Sequence, residues 1–366
     1  MRVAVNAWRI QGKLTGVGRY LLSILREWTP DVVPSGVEIE IHVPKKLDVA
    51  LPPNLKQVVH SSNARLLIWE NTRLGPLVSA GVLFCPSYSR PLLSRSPTVV
   101  TLHDATSAIH PEMFPAGQRW LYNPLYGWSA RHANRVIADT EASRADIVQY
   151  WHADPDHVVA IPLAPASYFR SDLSPSALDA VRRRYSAEGH PYFVFVGSAS
   201  GRRNVPLLLE AFALLRPELP DFRLVLVTLN PHSIDLNSVI HRLALEEHVV
   251  FTGYVPHEEL CPIYAAANAL VIPAIYETTS LPAMEAQASG SPVVCIDTAG
   301  MREVTGSCSS RFVKLEPQLL AQAMLRVATD PAYRDKLVED GIQNAAQFNW
   351  RRSARQTLDV LLDAAR

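Results

Sequence analysis

Short apolar runs rich in β-branched residues alternate along the N-terminal half of the chain with longer segments of mixed polarity. Such runs are typical of buried strands, and apolar positions that recur about every 3.6 residues are typical of helices. The runs predict strands at Arg2–Ala7, Val37–Val43, Val82–Ser87, Thr98–Asp104, Arg135–Thr140 and Val158–Ala164. The periodic segments predict helices at Gly18–Trp28, Arg65–Leu74, Gly117–His132 and Glu141–Tyr150.

The same alternation restarts after a less apolar stretch at residues 165–190. It predicts strands at Tyr192–Gly197, Arg223–Val227, Val249–Gly253, Ala269–Pro273 and Pro292–Asp297, helices at Val205–Leu215 and Leu281–Ser289, and helix from Glu316 to the end. Strands that alternate with helices are typical of parallel sheets covered on both faces. We therefore predict two doubly wound α/β domains, residues 1–165 and 166–349, which bind ligands at the carboxyl ends of their strands.

Length and composition agree with a two-domain globular protein. The chain has 366 residues, of which 48% are hydrophobic and 19% charged, and this length exceeds what one core usually sustains. Its 35 basic and 35 acidic residues create no overall field that attracts nucleic acid, so no nucleic acid partner is expected. Four widely spaced cysteines without a CxxC motif predict reduced thiols in a cytoplasmic protein, and no apolar run is long enough to cross a membrane. The cysteines are Cys85, Cys261, Cys295 and Cys308.

The sharpest candidate site follows the predicted strand Ala269–Pro273. Glu277 comes just after this strand, Ser280 suits the N-cap of the next helix, and Pro282 suits its first turn. Free backbone amides at a helix start bind anions such as a diphosphate. Glu285, about one turn further on, would supply a second carboxylate for sugar or ribose hydroxyls. Two structural or solvated carboxylates are the alternative that these residues alone leave open.

The segment Tyr276–Glu285 resembles the Glu-x7-Glu signature of retaining glycosyltransferases of the GT-B fold, specifically of glycosyltransferase family 4. The resemblance implies that Glu277 contacts the donor sugar and that Glu285 contacts the ribose. It also implies donor contacts from the backbone of Ser280 and Leu281. Thr, Thr and Ser follow Glu277 where the family pattern has Gly-Phe-Gly, so the sugar preference is left open.

A second resemblance follows the predicted strand Tyr192–Gly197. Relatives often place an Arg-Lys-Asn triplet here against the donor phosphates, and this chain has Arg202, Arg203 and Asn204. The resemblance implies that Arg203 binds phosphate oxygens, which an arginine fork can do bidentately, and that Asn204 lies in the donor site. Ser198 stands where some relatives have a further arginine. Two solvated loop arginines are the alternative.

Two loops resemble family loops more weakly. Val255 follows the predicted strand Val249–Gly253, and the resemblance implies that its backbone meets the nucleotide base. Gly16 lies in the loop Leu14–Tyr20, which would approach the donor diphosphate or the acceptor. An ordinary capped loop and a simple tight turn are the respective alternatives.

His103 and Asp104 end the predicted strand Thr98–Asp104. They match a His-Asp pair that many relatives have at this place, which implies that His103 lies near the transferred sugar and that Asp104 binds substrate. The alternative is a packed or capping histidine. The functional interpretation is favoured because the strand end faces the expected cleft.

No metal or other cofactor is expected besides the nucleoside diphosphate sugar, which is a substrate. Asp154 and Asp156 match an Asp-x-Asp pattern that binds metal in a different glycosyltransferase fold, but here they stand between a helix and a strand. No other cluster has ligand spacing. The aromatic and basic helix Gly117–His132 suits core packing, which is favoured, or contact with a membrane interface or lipid-linked acceptor.

The resemblance covers nearly the whole chain and implies the GT-B fold, two Rossmann-like domains that face a central cleft, with residues 350–366 packed back on the N-terminal domain. It implies a retaining transferase that moves a hexose to a saccharide or lipid-linked saccharide in polysaccharide or glycan synthesis. The expected location is the cytoplasm or the inner face of the membrane. Two alternatives are a GT-B isomerase of nucleotide sugars and a nucleotide-sugar-binding protein without turnover.

Overall fold

The chain divides into two compact units. A computed structural model describes residues 1–366 except 13, 187–188, 229–234, 307–308 and 313. Unit 1 comprises Met1–Leu163 and Asn349–Arg366, and unit 2 comprises Ala164–Phe348. Cys308, one of the four cysteines, lies outside the described residues.

Unit 1 contains a parallel β-sheet built from buried apolar strands. Its strands are β1 (Arg2–Asn6), β2 (Glu38–Val43), β3 (Leu55–Val59), β4 (Val82–Cys85), β5 (Thr98–Thr101), β6 (Arg135–Ala138) and β7 (Val158–Ala160). Within the described residues these seven strands run in the order β3-β2-β1-β4-β5-β6-β7, and every neighbouring pair is parallel. The order reverses between β1 and β4. Carboxyl ends at such a switch point open a crevice that commonly binds ligands.

Helices cover this sheet, and the last helix of the chain is one of them. They are α1 (Gly16–Glu27), α2 (Leu66–Trp69), α3 (Gly75–Leu77), α4 (Thr106–Ile109), α5 (Ala116–His132), α6 (Glu141–Trp151) and α15 (Trp350–Ala364). The indole nitrogen of Trp28 donates to the carbonyl of Ala354 at 2.9 Å, and the hydroxyl of Ser353 donates to the carbonyl of Pro162 at 2.6 Å. These contacts join α15 to the rest of unit 1.

Unit 2 also contains a parallel β-sheet with helices packed against it. Its strands are β8 (Tyr192–Val196), β9 (Arg223–Val227), β10 (Val249–Phe251), β11 (Ala269–Ile272), β12 (Val293–Ile296) and β13 (Ser310–Phe312). In the part of the chain that is described they form a parallel sheet in the order β10-β9-β8-β11-β12-β13, which is the order of a dinucleotide-binding fold. The switch point lies between β8 and β11.

The helices of unit 2 are mostly short. They are α7 (Pro175–Tyr185), α8 (Val205–Leu215), α9 (Leu236–Arg242), α10 (Leu260–Ala266), α11 (Leu281–Ala288), α12 (Ala299–Thr305), α13 (Pro317–Thr329) and α14 (Pro331–Ala345). No described helix of either unit combines the length and hydropathy that a membrane span requires.

The predicted class of two Rossmann-like α/β domains is confirmed, while several element boundaries were wrong. Most predicted strands extend past the hydrogen-bonded ladder into the loops that follow them. The sequence reading missed the edge strands β3 and β13 and the helices α7, α9 and α12. The helix α7 has no fully buried residue, but its partly buried residues Ala177, Val181 and Tyr185 recur at helical spacing on one face. The segment predicted as helix from Glu316 onward is three helices, α13, α14 and α15.

Candidate active site

A buried carboxylate and two arginines meet at the carboxyl edge of the sheet of unit 2. Glu277 lies in the loop after β11 and is 3% exposed. Its Oε2 pairs with Nη1 of Arg203, and its Oε1 lies 3.8 Å from Nη1 of Arg202. Both arginines belong to the single turn after β8, and β8 pairs with β11. Two neighbouring strands therefore deliver the cations and the carboxylate to one point.

The loop that carries Glu277 is fixed at both ends. The amide of Ile275 donates to the carbonyl of Arg202 at 2.9 Å, and the hydroxyl of Thr298 donates to the carbonyl of Glu277 at 2.9 Å. A Cβ at Gly300 would lie 2.2 Å from the carbonyl oxygen of Thr278, so only glycine allows this approach. The chain thus holds its Thr-Thr-Ser segment against the start of α12. Sequence reasoning did not identify Gly300, whose role depends on this long-range packing.

Ser280 caps the helix that begins beside Glu277. Its side chain is buried, and its hydroxyl accepts a hydrogen bond from the amide of Ala283 at 3.4 Å. Leu281 is the first helical residue and Pro282 occupies the first turn, as the sequence predicts. The free amides and the dipole of this helix start favour an anion. Donor contacts from Ser280 and Leu281 stay a prediction.

Glu285 is held by a histidine and a tyrosine. Its side chain is 3% exposed, Oε1 lies 2.8 Å from Nε2 of His257, and Oε2 accepts from the hydroxyl of Tyr264 at 3.2 Å. The other ring nitrogen of His257 contacts the hydroxyl of Tyr168. Glu277 and Glu285 are both buried and paired, so neither is a solvated residue. These pairings also fit structural carboxylates, and the predicted contacts with the donor sugar and the ribose stay predictions.

Val255 and Asn204 lie in loops at the same edge of this sheet. Val255 is buried in the loop after β10, two residues before His257. Sequence reasoning missed His257, although its place beside Val255 is a signal that could have found it. Asn204 adopts a left-handed backbone with φ +49° at the start of α8, where asparagine is more tolerant than most residues. The substrate contacts of both residues stay predictions.

In unit 1, His103 pairs with a buried aspartate that sequence reasoning did not identify. Its Nδ1 lies 2.9 Å from Oδ2 of Asp139, and both side chains are buried. Burial by itself lowers the pKa of His103, but the charge of Asp139 and the hydrogen bond to it outweigh burial and raise that pKa. Asp139 follows β6, the neighbour of β5, so adjacent strand ends bring the two together. Nε2 of His103 lies 3.3 Å from the carbonyl oxygen of Pro86, so both ring nitrogens contact protein groups, and the predicted place near the transferred sugar stays a prediction.

Asp104 makes local contacts at the end of β5. Its Oδ1 accepts from the amide of Thr106 at 2.8 Å, and its Oδ2 accepts from the hydroxyl of Tyr88 at 3.1 Å. These bonds set the turn into α4, so the residue has a structural role. A role in substrate binding stays a prediction.

Of the two glycines in the N-terminal loop, packing requires Gly18 rather than Gly16. A Cβ at Gly18 would lie 2.5 Å from the carbonyl oxygen of Arg9, whereas a Cβ at Gly16 would meet no atom within 4 Å. Gly16 is the first residue of α1, and its predicted approach to a ligand is untested. Arg9 lies near the carboxyl end of β1, and its Nε donates to the hydroxyl of Ser87 at 2.7 Å.

Unit 1 contains a buried carboxyl group that contacts residues at the carboxyl ends of β1 and β4. Glu70 is fully buried in a π-helical turn and accepts hydrogen bonds from Asn6 and Ser89, both at 2.7 Å. Burial raises the pKa of Glu70 to about 8, against the opposing effects of these hydrogen bonds and of the charge of Arg9. The carboxyl group is thus largely protonated at neutral pH, and in that form Oε2 donates to the hydroxyl of Ser89 instead of accepting from it. Its sequence context, within an apolar helix, gave no sign of a polar partner.

Asp154 and Asp156 form a capped turn. An oxygen of Asp154 accepts from the amide of Asp156 at 3.0 Å, which begins the turn before β7. Among the residues that are described, no group of three or more histidine, cysteine, aspartate or glutamate side chains is arranged to hold a metal ion.

Two family models match successive parts of the chain. Residues 179–344 match the family described as "Glycosyl transferases group 1", and residues 25–164 match the "Glycosyl transferase 4-like domain". The chain belongs to the GT-B glycosyltransferases of the family 4 type. The predicted resemblance to GT-B glycosyltransferases of family 4 is confirmed, while retention of configuration stays a prediction.

Curated relatives of this glycosyltransferase family member share about a quarter to a third of the aligned residues. O-antigen chain mannosyltransferase B of Escherichia coli is 28% identical over 265 residues, which cover 72% of this chain and 69% of that protein. D-inositol 3-phosphate glycosyltransferase of Corynebacterium kroppenstedtii is 30% identical over 246 residues, 64% of this chain and 54% of that protein. The match thus spans about half to two thirds of these relatives.

Solved structures share the fold of this family member over nearly its full length. Sucrose-phosphate synthase from Thermosynechococcus elongatus has a TM-score of 0.77 at 17% identity, with coverage of 99% of this chain and 98% of that chain. HepE of Anabaena in complex with UDP-glucose has a TM-score of 0.76 at 19% identity, with coverage of 99% and 100%. At these identities the likeness establishes the fold.

Proposed function

We propose that the chain is a retaining glycosyltransferase that moves a hexose from a nucleoside diphosphate sugar to a saccharide or lipid-linked saccharide acceptor. The observation that carries the proposal is the buried carboxylate of Glu277 beside Arg203 and the capped start of α11. The carboxylate suits sugar hydroxyls, and the arginine and the helix start suit a diphosphate. A nucleotide sugar as donor is supported by the mannosyltransferase among the relatives and by the related structure of HepE, which contains UDP-glucose.

In the proposed donor complex, different protein groups bind the diphosphate, the hexose, the ribose and the base of the donor. Arg203 and the first amides of α11 bind the diphosphate, and Asn204 lies beside them. Glu277 accepts hydrogen bonds from hydroxyls of the hexose. Glu285, oriented by His257, accepts from the ribose, and the backbone at Val255 meets the base. Because Arg203 pairs with Glu277, binding of the diphosphate replaces part of this pairing with phosphate oxygens.

The proposed reaction is a front-face displacement. The bond between the anomeric carbon and the diphosphate oxygen breaks, while the acceptor oxygen bonds to the same face of that carbon. The proton of the acceptor hydroxyl passes to the departing phosphate oxygen, whose charge Arg203 and the helix amides stabilise. These groups supply the charge stabilisation that a metal supplies in other enzymes, so we propose a reaction without a metal.

Unit 1 serves the acceptor and the transferred sugar in this proposal. His103, fixed by Asp139, orients the transferred hexose, and Asp104 and Gly16 contact substrate. We place the reaction in polysaccharide or glycan synthesis in the cytoplasm, in keeping with the mannosyltransferase of O-antigen chains among the relatives.

Incubation with a panel of nucleoside diphosphate sugars tests the proposal. A thermal-shift screen first selects the donor, since a ligand at a hundred times its Kd stabilises the protein by about 2.7 kcal/mol. The selected donor is then incubated alone and with a mixture of saccharide acceptors. We expect slow donor hydrolysis alone and faster release of nucleoside diphosphate with an acceptor. Conversion of the sugar without an acceptor would instead indicate an isomerase, and tight binding without turnover a binding protein.

A further inference from the structure

The histidine that holds Glu285 is itself held by a third side chain. Nε2 of His257 lies 2.8 Å from Oε1 of Glu285, and Nδ1 of His257 contacts the hydroxyl of Tyr168. The hydroxyl of Tyr264 donates to the other carboxylate oxygen at 3.2 Å. All of these residues belong to unit 2. Tyr168, His257 and Glu285 thus form one row of contacts, which we call the tyrosine–histidine–glutamate triad.

The protons of this triad match donors to acceptors. An ionised carboxyl group only accepts hydrogen bonds, so Nε2 of His257 donates to Oε1 of Glu285. A neutral imidazole carries one proton, so Nδ1 is then an acceptor, and the hydroxyl of Tyr168 donates to it. Tyr168 therefore favours the tautomer of His257 that donates to Glu285.

Packing fixes the position of the imidazole as well as its tautomer. The buried ring of Phe169 meets the ring of His257 edge to face, with 5.2 Å between the ring centres. The backbone of Arg170 contacts the thiol of Cys261 in α10, since both its amide nitrogen and its carbonyl oxygen lie 3.4 Å from the sulfur. The segment that carries Tyr168 is therefore held against the helix that follows His257.

The contacts within unit 2 leave Glu285 with acceptor positions for two further donors. A carboxylate offers about four lone-pair sites, two on each oxygen. His257 uses a site on Oε1 and Tyr264 uses a site on Oε2, so each oxygen keeps one. Two such sites on one carboxylate match two adjacent hydroxyls, such as those of a ribose. Because the carboxylate is already oriented, binding does not have to order it.

Building on the proposed contact between Glu285 and the ribose, we propose that Tyr168 and His257 are positioning residues that hold Glu285 for the 2′- and 3′-hydroxyls, so that unit 2 selects ribonucleotides over deoxyribonucleotides. A site built around a hydroxyl discriminates against the analogue that lacks it, because the protein acceptor is then left without a partner. Glu285 is only 3% exposed, which limits the access of water that could replace the missing hydroxyl.

Calorimetric titration with nucleoside diphosphates tests this proposal without an acceptor and without turnover. UDP, GDP and ADP are titrated into the full chain, and the one that binds most tightly is compared with its 2′-deoxy and 3′-deoxy counterparts. The ratio of the deoxy Kd to the ribo Kd measures the selectivity. We expect a ratio of about 10 to 100 for the wild-type protein, the size of a hydrogen bond to a charged group. Tyr168→Phe removes one hydroxyl and should lower that ratio by about three- to tenfold.

Variants of His257 separate positioning from a general loss of structure. His257→Leu removes the donor and should lower the ratio at least as far as Tyr168→Phe does. Glutamine keeps an amide donor near the place of Nε2 and has no tautomers, so His257→Gln should retain part of the selectivity. In the His257→Gln background, Tyr168→Phe should have no further effect, whereas the effects of independent residues would add.

Tyr185→Phe is the matched control, since Tyr185 is a half-buried tyrosine of unit 2 whose hydroxyl contacts Glu259 at 3.5 Å. It should keep the wild-type ratio. A ratio that Glu285→Gln lowers but that Tyr168→Phe and His257→Leu leave unchanged would overturn the positioning role and leave the proposed function standing. Equal binding of ribo and deoxy forms by the wild-type protein would overturn the ribose contact of Glu285 itself, and the positioning role with it.

Discussion

Replacing Arg203 by alanine is expected to lower kcat by about 10²- to 10³-fold, the size of effect seen when one group that stabilises developing charge is removed. The guanidinium lies against Glu277 beside the start of α11, where the departing diphosphate gains negative charge in the proposed reaction. Because that charge grows in the transition state, kcat should fall as well as donor affinity. Steady-state kinetics at saturating donor measure the effect.

Two variants control for lost folding and lost charge. Arg203→Lys restores the residue that the family pattern has at this position, so it should keep most of the activity. Arg242→Ala removes an exposed arginine of unit 2 that pairs with Glu210, and should change nothing. We expect Arg203→Ala to stay folded, because Arg202 still lies beside the carboxylate of Glu277. A variant Arg203→Ala that loses only donor affinity would assign the residue to ground-state binding and contradict its proposed role.

Replacing Glu70 by glutamine is expected to stabilise unit 1 at pH 8 by on the order of 4 kcal/mol. Burial raises the pKa of Glu70 from 4.5 to about 8. Between these pH values the folded carboxyl group keeps a proton that the unfolded chain loses, so the stability of the folded state falls as pH rises. Glutamine stays neutral throughout and fills the same space, and the hydroxyl of Ser89 can turn to accept from its amide.

Tryptophan fluorescence can follow this effect in unit 1 alone, since all seven tryptophans lie in Met1–Leu163 or Asn349–Arg366. Urea unfolding at several pH values between 4 and 9 gives the free energy of unfolding for both proteins. The difference should be small near pH 4, grow by about 1.4 kcal/mol per pH unit, and level off above pH 8. The comparison cancels other titrations, such as those of His42 and His103. Parallel curves for the two proteins would show that Glu70 does not titrate in this range.

Features that depend on local sequence were predictable. Ser280 and Pro282 begin α11 because serine satisfies a free amide and proline suits the first turn. Apolar runs separated by periodic segments indicated parallel sheets, since strands buried on both faces have few polar residues. Arg203 and Glu277 are 74 residues apart, yet the rule that parallel strands end at one edge predicts their proximity.

Features that depend on partners distant in sequence were not predictable from it. Asp139 holds His103, and Gly300 admits the backbone of Thr278, but no local pattern distinguishes these residues from ordinary loop or strand-end residues. Gly16 and Gly18 are alike in sequence, and only the carbonyl of Arg9 shows which one packing requires. The edge strand β3 buries only its first residue, so it leaves no clear alternating apolar pattern.

Proton NMR of the first-formed product tests the proposed retaining reaction, because the anomeric coupling reports the stereochemistry of transfer. The selected donor and acceptor are incubated with the full chain, with and without excess chelator, and spectra are taken before the product can equilibrate. We expect an anomer of the same configuration as the donor sugar, formed at similar rates in both samples. A first-formed product of inverted configuration would contradict the retaining mechanism, and complete loss of activity with chelator would contradict the metal-free reaction.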